Sequence, residues 1–286
     1  MTDVSSGKVP ILECVVIAWR FLIENWRRFL PAAVVVAVAS AVAPLLLGLL
    51  LGGPTAGAIL AGQLVEAIAL VFFTAAVLRY AIRGEFNGAT GLAFGPDEAR
   101  LVGVLAAVSA IAAPLIFLVL MVWSASIIGS LGLTAEELET RMADQAAFNQ
   151  TMTEAMGRPP NSSVIVIAIL AIGLGFYLFS RLAMANAASI GERKFVLFQS
   201  WSWSKGNVLR IMAAVIVTAL PATLINLIIN SMLSGISVAE DNPGGILIYV
   251  VMEALRVLIA TLIGIPYIAL GAHLYKGLRP SGFTAR

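Results

Sequence analysis

The chain has 286 residues, of which 60% are hydrophobic and 12% are charged, and its formal net charge is +2. A soluble domain holds roughly 45–50% apolar and ~25% charged residues, so this composition excludes an ordinary water-soluble fold. The small net charge gives no electrostatic reason to bind nucleic acid. The single cysteine, Cys14, excludes an internal disulfide framework, and its apolar setting favours a buried thiol.

Six apolar stretches are long enough to cross a bilayer, which takes about 20 residues of helix. They are continuous runs of Leu, Ile, Val and Ala without the alternating polarity of barrel strands, so each one is predicted to be a helix. The predicted spans are Phe29–Gly52, Ala58–Tyr80, Leu101–Ile128, Val164–Ala185, Val208–Leu233 and Ile246–Tyr275. The predicted fold class is therefore all-α, a polytopic membrane bundle of six helices forming a domain over residues 29–275.

The basic residues beside these spans are distributed unevenly. Arg141 and Arg158 lie on one side of the predicted membrane, and Arg256 lies inside the last span. Because basic loops are retained in the cytoplasm, the other side is predicted to be cytoplasmic, with both termini on it and a short tail over residues 276–286. The basic residues on that side are Lys8, Arg20, Arg27, Arg28, Arg79, Arg83, Arg100, Arg181, Arg193, Lys194, Lys205, Arg210, Lys276, Arg279 and Arg286.

A helix outside the membrane is predicted between the third and fourth spans, at about residues 135–156. Thr134 and Glu137 have the spacing of a capping box, in which each side chain binds an early backbone amide. Gly157 supplies a stop. One face carries Leu138, Met142, Met152 and Met156, and this stripe indicates packing on the membrane surface or the bundle more than a metal or partner site.

Two segments on the basic side are amphipathic. Residues 1–28 are predicted to hold a helix that lies in the cytoplasmic interface, with charged residues on one face and tryptophans on the other. The alternative is a helix packed on its own bundle. Residues 192–205 occupy the same place before the fifth span. The predicted interfacial anchors are Trp19, Trp26, Arg28, Trp201, Trp203 and Arg210.

The same two segments suggest an internal repeat. Trp19, Asn25 and Arg28 match Trp201, Asn207 and Arg210 at one constant spacing, and Gly-Glu pairs occur at residues 84–85 and 191–192. Because the matched segments enter the membrane from the same side, a repeat would be a parallel one built of helical hairpins. A chance match is the alternative.

Polar residues inside the spans form the candidate site. A charge near the bilayer centre costs about 2.5–3.5 kcal/mol on insertion scales, so the charged members require partners. A Glu66–Arg256 or a Glu253–Arg256 pair is predicted. We favour a clamp between helices, and the alternative is a polar cavity for a substrate or a lipid headgroup. The intramembrane polar cluster consists of Gln63, Glu66, Asn226, Asn230, Glu253 and Arg256.

Signatures of catalysis are scarce. His273 is the only histidine, so a metal site with several histidine ligands is not expected. The sequence has no Gly-x-Ser-x-Gly elbow and no phosphate-binding loop. All the aspartates lie outside the spans, so a paired-aspartate metal site within the membrane is not expected. We expect no enzyme activity, no metal and no cofactor. Asp3, Asp97, Asp144 and Asp241 are the aspartates concerned.

Three features together carry a family resemblance. These are the Trp-rich amphipathic lead-in, the segment from Phe195 through Gln-Ser-Trp-Ser-Trp-Ser-Lys-Gly to Asn207, and the closing Pro266 and His273-Leu-Tyr275. Across about residues 10–280 the chain resembles the six-span membrane-domain family related to the glycerophosphodiester phosphodiesterase membrane domain. The phosphodiesterase barrel of the fused members is missing, so the resemblance does not carry that activity. It implies a bacterial inner-membrane protein acting near lipids.

The sequence leaves three functions open. The favoured one is a non-enzymatic, lipid- or membrane-associated protein whose partners are membrane lipids and, as a further possibility, a second copy or another membrane protein. The second is a small-molecule or lipid transporter that uses the intramembrane polar cluster. The third, a lipid-modifying enzyme, would need an accessible cluster of carboxylates on the cytoplasmic face.

Overall fold

The structure is a computed structural model that describes residues 8–51, 56–131, 162–234 and 243–280, with positions 134, 136–137, 140–141, 147, 150–151 and 153 between them. All regular structure in these ranges is helical. The helices are α1 Ile11–Leu50, α2 Ala56–Arg83, α3 Pro96–Leu131, α4 Ser162–Leu182, α5 Ala185–Gly191, α6 Phe198–Trp203, α7 Val208–Ser234 and α8 Pro243–Leu278. Six of them are long and apolar enough to cross a membrane, which confirms the all-α polytopic bundle.

The first helix differs from the prediction. α1 runs unbroken for 40 residues, so the interfacial segment and the first span are one helix about 60 Å long and not two elements. Pro31 lies near the predicted boundary at residue 28 but does not end the helix. A proline removes one backbone hydrogen bond and can be accommodated by a bend, whereas a helix end would expose several unpaired groups.

Local sequence signals explain where α2 ends and α3 begins. Gly84 has φ 72° and donates its N–H to the carbonyl of Tyr80 at 2.9 Å, which is a glycine C-cap. α3 then begins at Pro96, five residues before the predicted span, with Asp97 and Glu98 in its first turn. Proline suits the first helical position, and carboxylates suit the positive end of the helix dipole.

Two compact units make up the chain. One contains the residues up to 105 and those from 180 onward, and the other contains residues 106–179. The first unit has two buried clusters. The larger joins residues of α1, α2, α5, α7 and α8, such as Ala18, Leu78, Ile190 and Ile211. The smaller is built around Phe29.

Apolar side chains are also exposed along most of the long helices. On α7, for example, Leu220, Leu224, Leu227 and Ile228 are each more than half exposed. A surface of this kind would cause aggregation in water, whereas lipid tails solvate it. The exposure pattern therefore agrees with helices that face lipid.

The second unit contains the predicted capping box. The backbone N–H and the hydroxyl of Thr134 both donate to Glu137 Oε2, at 2.8 and 2.9 Å, and the Glu137 N–H donates to Thr134 Oγ1 at 3.3 Å. The hydrogen bonds predicted for a capping box are therefore present. The residues of the predicted apolar stripe, Leu138, Met142, Met152 and Met156, lie outside the described residues.

Candidate functional site

A large group of charged side chains lies where α2, α3, α5 and α8 meet on the basic side of the first unit. We call it the ion-pair network. Its members are Arg79, Arg83, Glu85, Asp97, Glu98, Arg100, Glu192, Arg193 and Arg279. None of these residues was among the predicted site residues.

Arg79 is the most deeply buried cation of the network, with 4% of its side chain exposed. Its Nη1 lies 2.8 Å from Glu98 Oε1 and 3.7 Å from Asp97 Oδ2, and its Nη2 donates to the carbonyl of Gly91 at 3.0 Å. One guanidinium therefore fixes both the first turn of α3 and the loop before it. A buried charge needs such pairing, because desolvation alone would be strongly unfavourable.

Asp97 receives three arginines. Besides Arg79, Arg100 reaches its Oδ1 at 2.7 Å, and Arg83 forms a short ion pair with its Oδ2. Arg83 also donates to the carbonyl of Ile190 at 3.2 Å, which extends the network to the end of α5. Asp97 thus joins the end of α2 to the start of α3, and Arg83 joins both to α5.

The second arm of the network surrounds Glu192. The hydroxyl of Tyr275 donates to Glu192 Oε1 at 2.6 Å, and Arg279 Nε lies 2.7 Å from the same oxygen. The neighbouring Arg193 pairs with Glu85 at 3.2 Å. In both Gly-Glu pairs, at residues 84–85 and 191–192, the glutamate therefore forms an ion pair with an arginine.

Chemically, this arrangement behaves as a clamp. Glu85, Asp97, Glu98 and Glu192 each face at least one guanidinium. The network therefore joins the ends of α2 and α5 to the start of α3 and the end of α8.

Within the spans, the predicted intramembrane pair is present in one of its two forms. Arg256 Nε donates to Glu253 Oε2 at 2.8 Å, and a second short contact joins Nη2 to Oε1. About a third of the Arg256 side chain and a quarter of the Glu253 side chain are exposed. Glu66 on α2 contributes to the electrostatic environment of Arg256, but no ion pair within 4 Å joins these two side chains.

The three amide residues of the predicted polar cluster do not bind the charged pair. Gln63 and Asn230 are exposed, and Asn226 is half-buried. Among the described residues, none of these three amides forms a hydrogen bond with Glu253 or Arg256. The predicted six-residue cluster is therefore reduced to a three-residue charged group.

The first set of predicted anchors lies on α1. Trp26 is 42% exposed, and Trp19 is half-buried. The Arg28 guanidinium stacks over the ring of Tyr80 at 4.4 Å and lies 5.8 Å from that of Phe86. Arg28 thus makes a cation–π contact that ties α1 to the end of α2.

The second set of anchors is more deeply packed. Trp201 is half-buried beneath the Arg181 guanidinium at 5.3 Å. Trp203 is only 9% exposed and packs against Tyr275 with ring centroids 6.1 Å apart. This differs from the prediction of an interfacial anchor, because the bundle covers the indole and leaves little surface for lipid.

The matched residues of the suggested repeat make different contacts. Asn25 Nδ2 donates to the carbonyl of Phe21 in its own helix, whereas Asn207 Oδ1 accepts from the backbone N–H of Val9. Arg210, the counterpart of the stacked Arg28, donates to the carbonyl of Val9 at 3.3 Å. The parallel repeat therefore stays a prediction from sequence.

A metal centre is not assembled in the described ranges, where no three His, Cys, Asp or Glu side chains meet as ligands. The family resemblance also stays a prediction. No family model matches the chain, and neither does any curated protein or solved structure.

Proposed function

We propose that the chain is a non-enzymatic, lipid-associated integral membrane protein of a bacterial inner membrane, with both termini in the cytoplasm. The six long apolar helices support the membrane setting, and an even number of crossings agrees with both termini on the basic side. The role we infer is an association with lipid at the cytoplasmic interface.

One observation carries this proposal, namely an exposed apolar stripe on the first half of α1. Leu12, Val16, Ile23 and Trp26 are 74%, 62%, 70% and 42% exposed. They fall within an arc of about 80° at 3.6 residues per turn. We call them the α1 stripe.

The charged residues of α1 lie at one edge of this stripe. Arg20 and Glu24 form an exposed ion pair at 2.8 Å, and Arg27 is exposed beside Trp26. On the other edge, Cys14 and Ala18 are buried in the bundle. The segment therefore has three faces, one each for the core, for apolar lipid and for polar headgroups, as expected of an interfacial helix.

The ion-pair network favours this role over a lipid-modifying enzyme. Such an enzyme would need an accessible cluster of carboxylates on this face, and the carboxylates of the network face arginines. Asp97 and Glu98 are in addition almost completely buried. The network supports a structural function for the acidic residues of this face.

Spin labelling tests the depth of the α1 stripe. The Cys14→Ala variant removes the only cysteine, so single cysteines can be introduced at Leu12 and Ile23, with matched controls at Arg20 and Glu24. In vesicles, nitroxides at the first two sites should be relaxed more by oxygen, and those at the controls more by a water-soluble nickel chelate. Equal exposure of all four sites to the nickel chelate would refute the interfacial placement.

Lipid retention tests the association itself. The purified protein should carry tightly held phospholipid through mild detergent, as measured by mass spectrometry. Substituting Leu12 and Ile23 by serine should reduce that amount, while Glu85→Gln, at an exposed site outside α1, should change it little. Deleting residues 1–28 is a poor test, because Cys14 and Ala18 of this segment are part of the core. A lipid-free wild-type protein would refute the proposal.

A transporter is the second candidate, favoured by the charged group of Glu66, Glu253 and Arg256 inside the candidate spans. Arg256 precedes Tyr275 by 19 residues, or about 29 Å of helix. If Tyr275 marks the cytoplasmic edge of a hydrocarbon layer about 30 Å thick, Arg256 lies near the opposite edge and not at the centre. This depth favours an anchoring role over a central transport site.

Water access separates the two candidates. If the group is an anchor near the membrane edge, a cysteine in place of Glu66, in the Cys14→Ala background, should react with a membrane-impermeant maleimide from at most one side, the side opposite the basic face. Labelling from both sides, blocked by a transported solute, would establish a transport pathway. A cysteine at the exposed Glu24 provides the positive control for labelling.

A further inference from the structure

The start of the chain is tied to the start of α7 by two hydrogen bonds. The backbone N–H of Val9 donates to Asn207 Oδ1 at 3.0 Å, and Arg210 Nη1 donates to the Val9 carbonyl at 3.3 Å. Val9 is 2% exposed and Asn207 is 5% exposed. Two segments far apart in sequence are therefore held together at a buried point.

This tie gathers three cations at the surface. Lys8 is bonded to Val9, Lys205 precedes Asn207 by two residues, and Arg210 contacts Val9 directly. All three residues are exposed, and no ion pair joins any of them to an acidic side chain of the described residues. We call Lys8, Lys205 and Arg210 the basic patch.

Glu13, the first carboxylate of α1, forms no ion pair with the basic patch within the described ranges. Glu13 interacts electrostatically with His273 of α8 and with Cys14. The positive charge of the basic patch is therefore left for a partner from outside the described chain.

Exposed leucines flank the basic patch on both segments. Leu12 lies one turn into α1 and is 74% exposed, and Leu209 adjoins Arg210 and is 73% exposed. A soluble anion would neutralise the cations but leave both leucines in water. An amphiphile with an anionic headgroup satisfies the cations and the leucines together.

We propose that the basic patch binds the headgroup of an anionic phospholipid, with an acyl chain along Leu12 and Leu209. The inference rests on the proposed lipid association and names its lipid class. Charge complementarity carries it, because three cations that form no ion pair with any described residue attract an anionic headgroup and discriminate against a zwitterionic one. The side of the membrane also fits, since the patch lies on the face where basic residues concentrate.

The test compares two variants that each remove two positive charges from the basic face. Lys8→Gln/Lys205→Gln alters the basic patch without touching the hydrogen bonds of Val9. The control, Lys194→Gln/Lys276→Gln, alters two exposed lysines elsewhere on that face. Each protein is reconstituted with equal amounts of phosphatidylglycerol and phosphatidylcholine and extracted in mild detergent. The retained lipids are quantified by mass spectrometry, and thermal unfolding checks that both variants are folded.

We expect the wild type and the control to retain phosphatidylglycerol preferentially, and Lys8→Gln/Lys205→Gln to lose about tenfold of that preference at low salt. Added salt should weaken the wild-type preference. Equal preferences in the two variants would refute the site while leaving lipid association intact, whereas a wild type that retains no lipid would refute both. A patch variant that loses binding of poly-glutamate but keeps its lipid preference would show that an acidic protein segment is the occupant, which also refutes the site.

Discussion

The hydroxyl of Tyr275 donates a hydrogen bond to the carboxylate of Glu192, with the two oxygens 2.6 Å apart. These residues belong to the last helix and to the short turn after α5. The tyrosine ring is almost fully buried, and Arg279 contacts the same carboxylate. The hydrogen bond therefore locks the end of α8 onto the bundle.

This lock depends on the absence of a side chain at Gly191. A Cβ there would lie 2.5 Å from the Cε1, Cζ and hydroxyl atoms of Tyr275. We expect Gly191→Ala to push the ring away from Glu192 and to lower the free energy of unfolding by about 1–3 kcal/mol, the usual range for overpacking. Thermal unfolding in detergent measures the effect.

Gly264→Ala is the matched control, because it lies in the middle of α8 and its Cβ would meet nothing within 4 Å. It should leave the protein as stable or make it slightly more stable, since alanine favours the helix. If Gly191→Ala unfolds no earlier than Gly264→Ala, the close packing on Tyr275 is not important for stability.

The ion-pair network should depend most on Asp97. Asp97→Asn removes the charge shared by Arg79, Arg83 and Arg100, and leaves Arg79 with a single carboxylate. Removing one partner from a buried pair is strongly destabilising because the remaining charge is left desolvated. We expect a loss of about 3 kcal/mol in the free energy of unfolding.

Glu85→Gln removes one negative charge from the same network and serves as its control. The Glu85 side chain is 43% exposed, so solvent screens its pairs with Arg83 and Arg193. We expect a change of about 1 kcal/mol or less. Similar losses for both variants would mean that burial does not determine the strength of these pairs.

Much of the fold could be predicted from the sequence, because lipid imposes a strong local rule. Long apolar runs and flanking cations are contained within single segments, and all six predicted spans coincide with long helices. Pro96 followed by Asp97 is also a helix-start signal in the sequence. The predicted span began five residues later, because its bounds were set by hydropathy alone.

The site was harder to predict, because pairing depends on contacts between distant segments. Glu253 and Arg256 are three residues apart on one helix, so the sequence predicts their pair. Glu192 and Arg279 meet only after α8 packs on α5, and nothing local indicates it. Trp203 also appears interfacial by composition, and only its packing on Tyr275 makes it a core residue.

The capping box of the second unit makes a prediction about pH. Two hydrogen bonds from Thr134, through its backbone N–H and its hydroxyl, hold the pKa of Glu137 below its ordinary value. A lowered folded-state pKa means that the cap stabilises the helix start above the unfolded-state pKa. That contribution is lost as the pH falls through the folded-state pKa.

An NMR titration of the Glu137 carboxyl measures this directly. Thr134→Ala should raise the pKa of Glu137 toward its ordinary value, because the variant loses the hydroxyl donor. Thr140→Ala is the control, since the Thr140 hydroxyl donates to the carbonyl of Glu136 and does not contact Glu137. Identical titrations in the two variants would show that the Thr134 hydroxyl does not support the carboxylate.

The charged group within the spans makes the last prediction. Arg256→Gln removes the cation that Glu253 binds directly and that Glu66 approaches from α2. Because the pair is about a quarter to a third exposed, solvent or headgroups screen it in part. We expect a loss of about 1–2 kcal/mol in stability, more than the near-zero effect of Arg20→Gln, whose pair with Glu24 is largely exposed.

A double-mutant cycle identifies the interhelical part of this effect. If Glu66 and Arg256 clamp α2 to α8, Glu66→Gln should destabilise the wild type more than it destabilises Arg256→Gln, with a coupling of about 0.5 kcal/mol or more. A coupling near zero would confine the interaction to the Glu253–Arg256 pair within α8. An unchanged or higher stability of Arg256→Gln would refute the clamp. It would mean that the ion pair does not offset the cost of placing the Arg256 charge within the span.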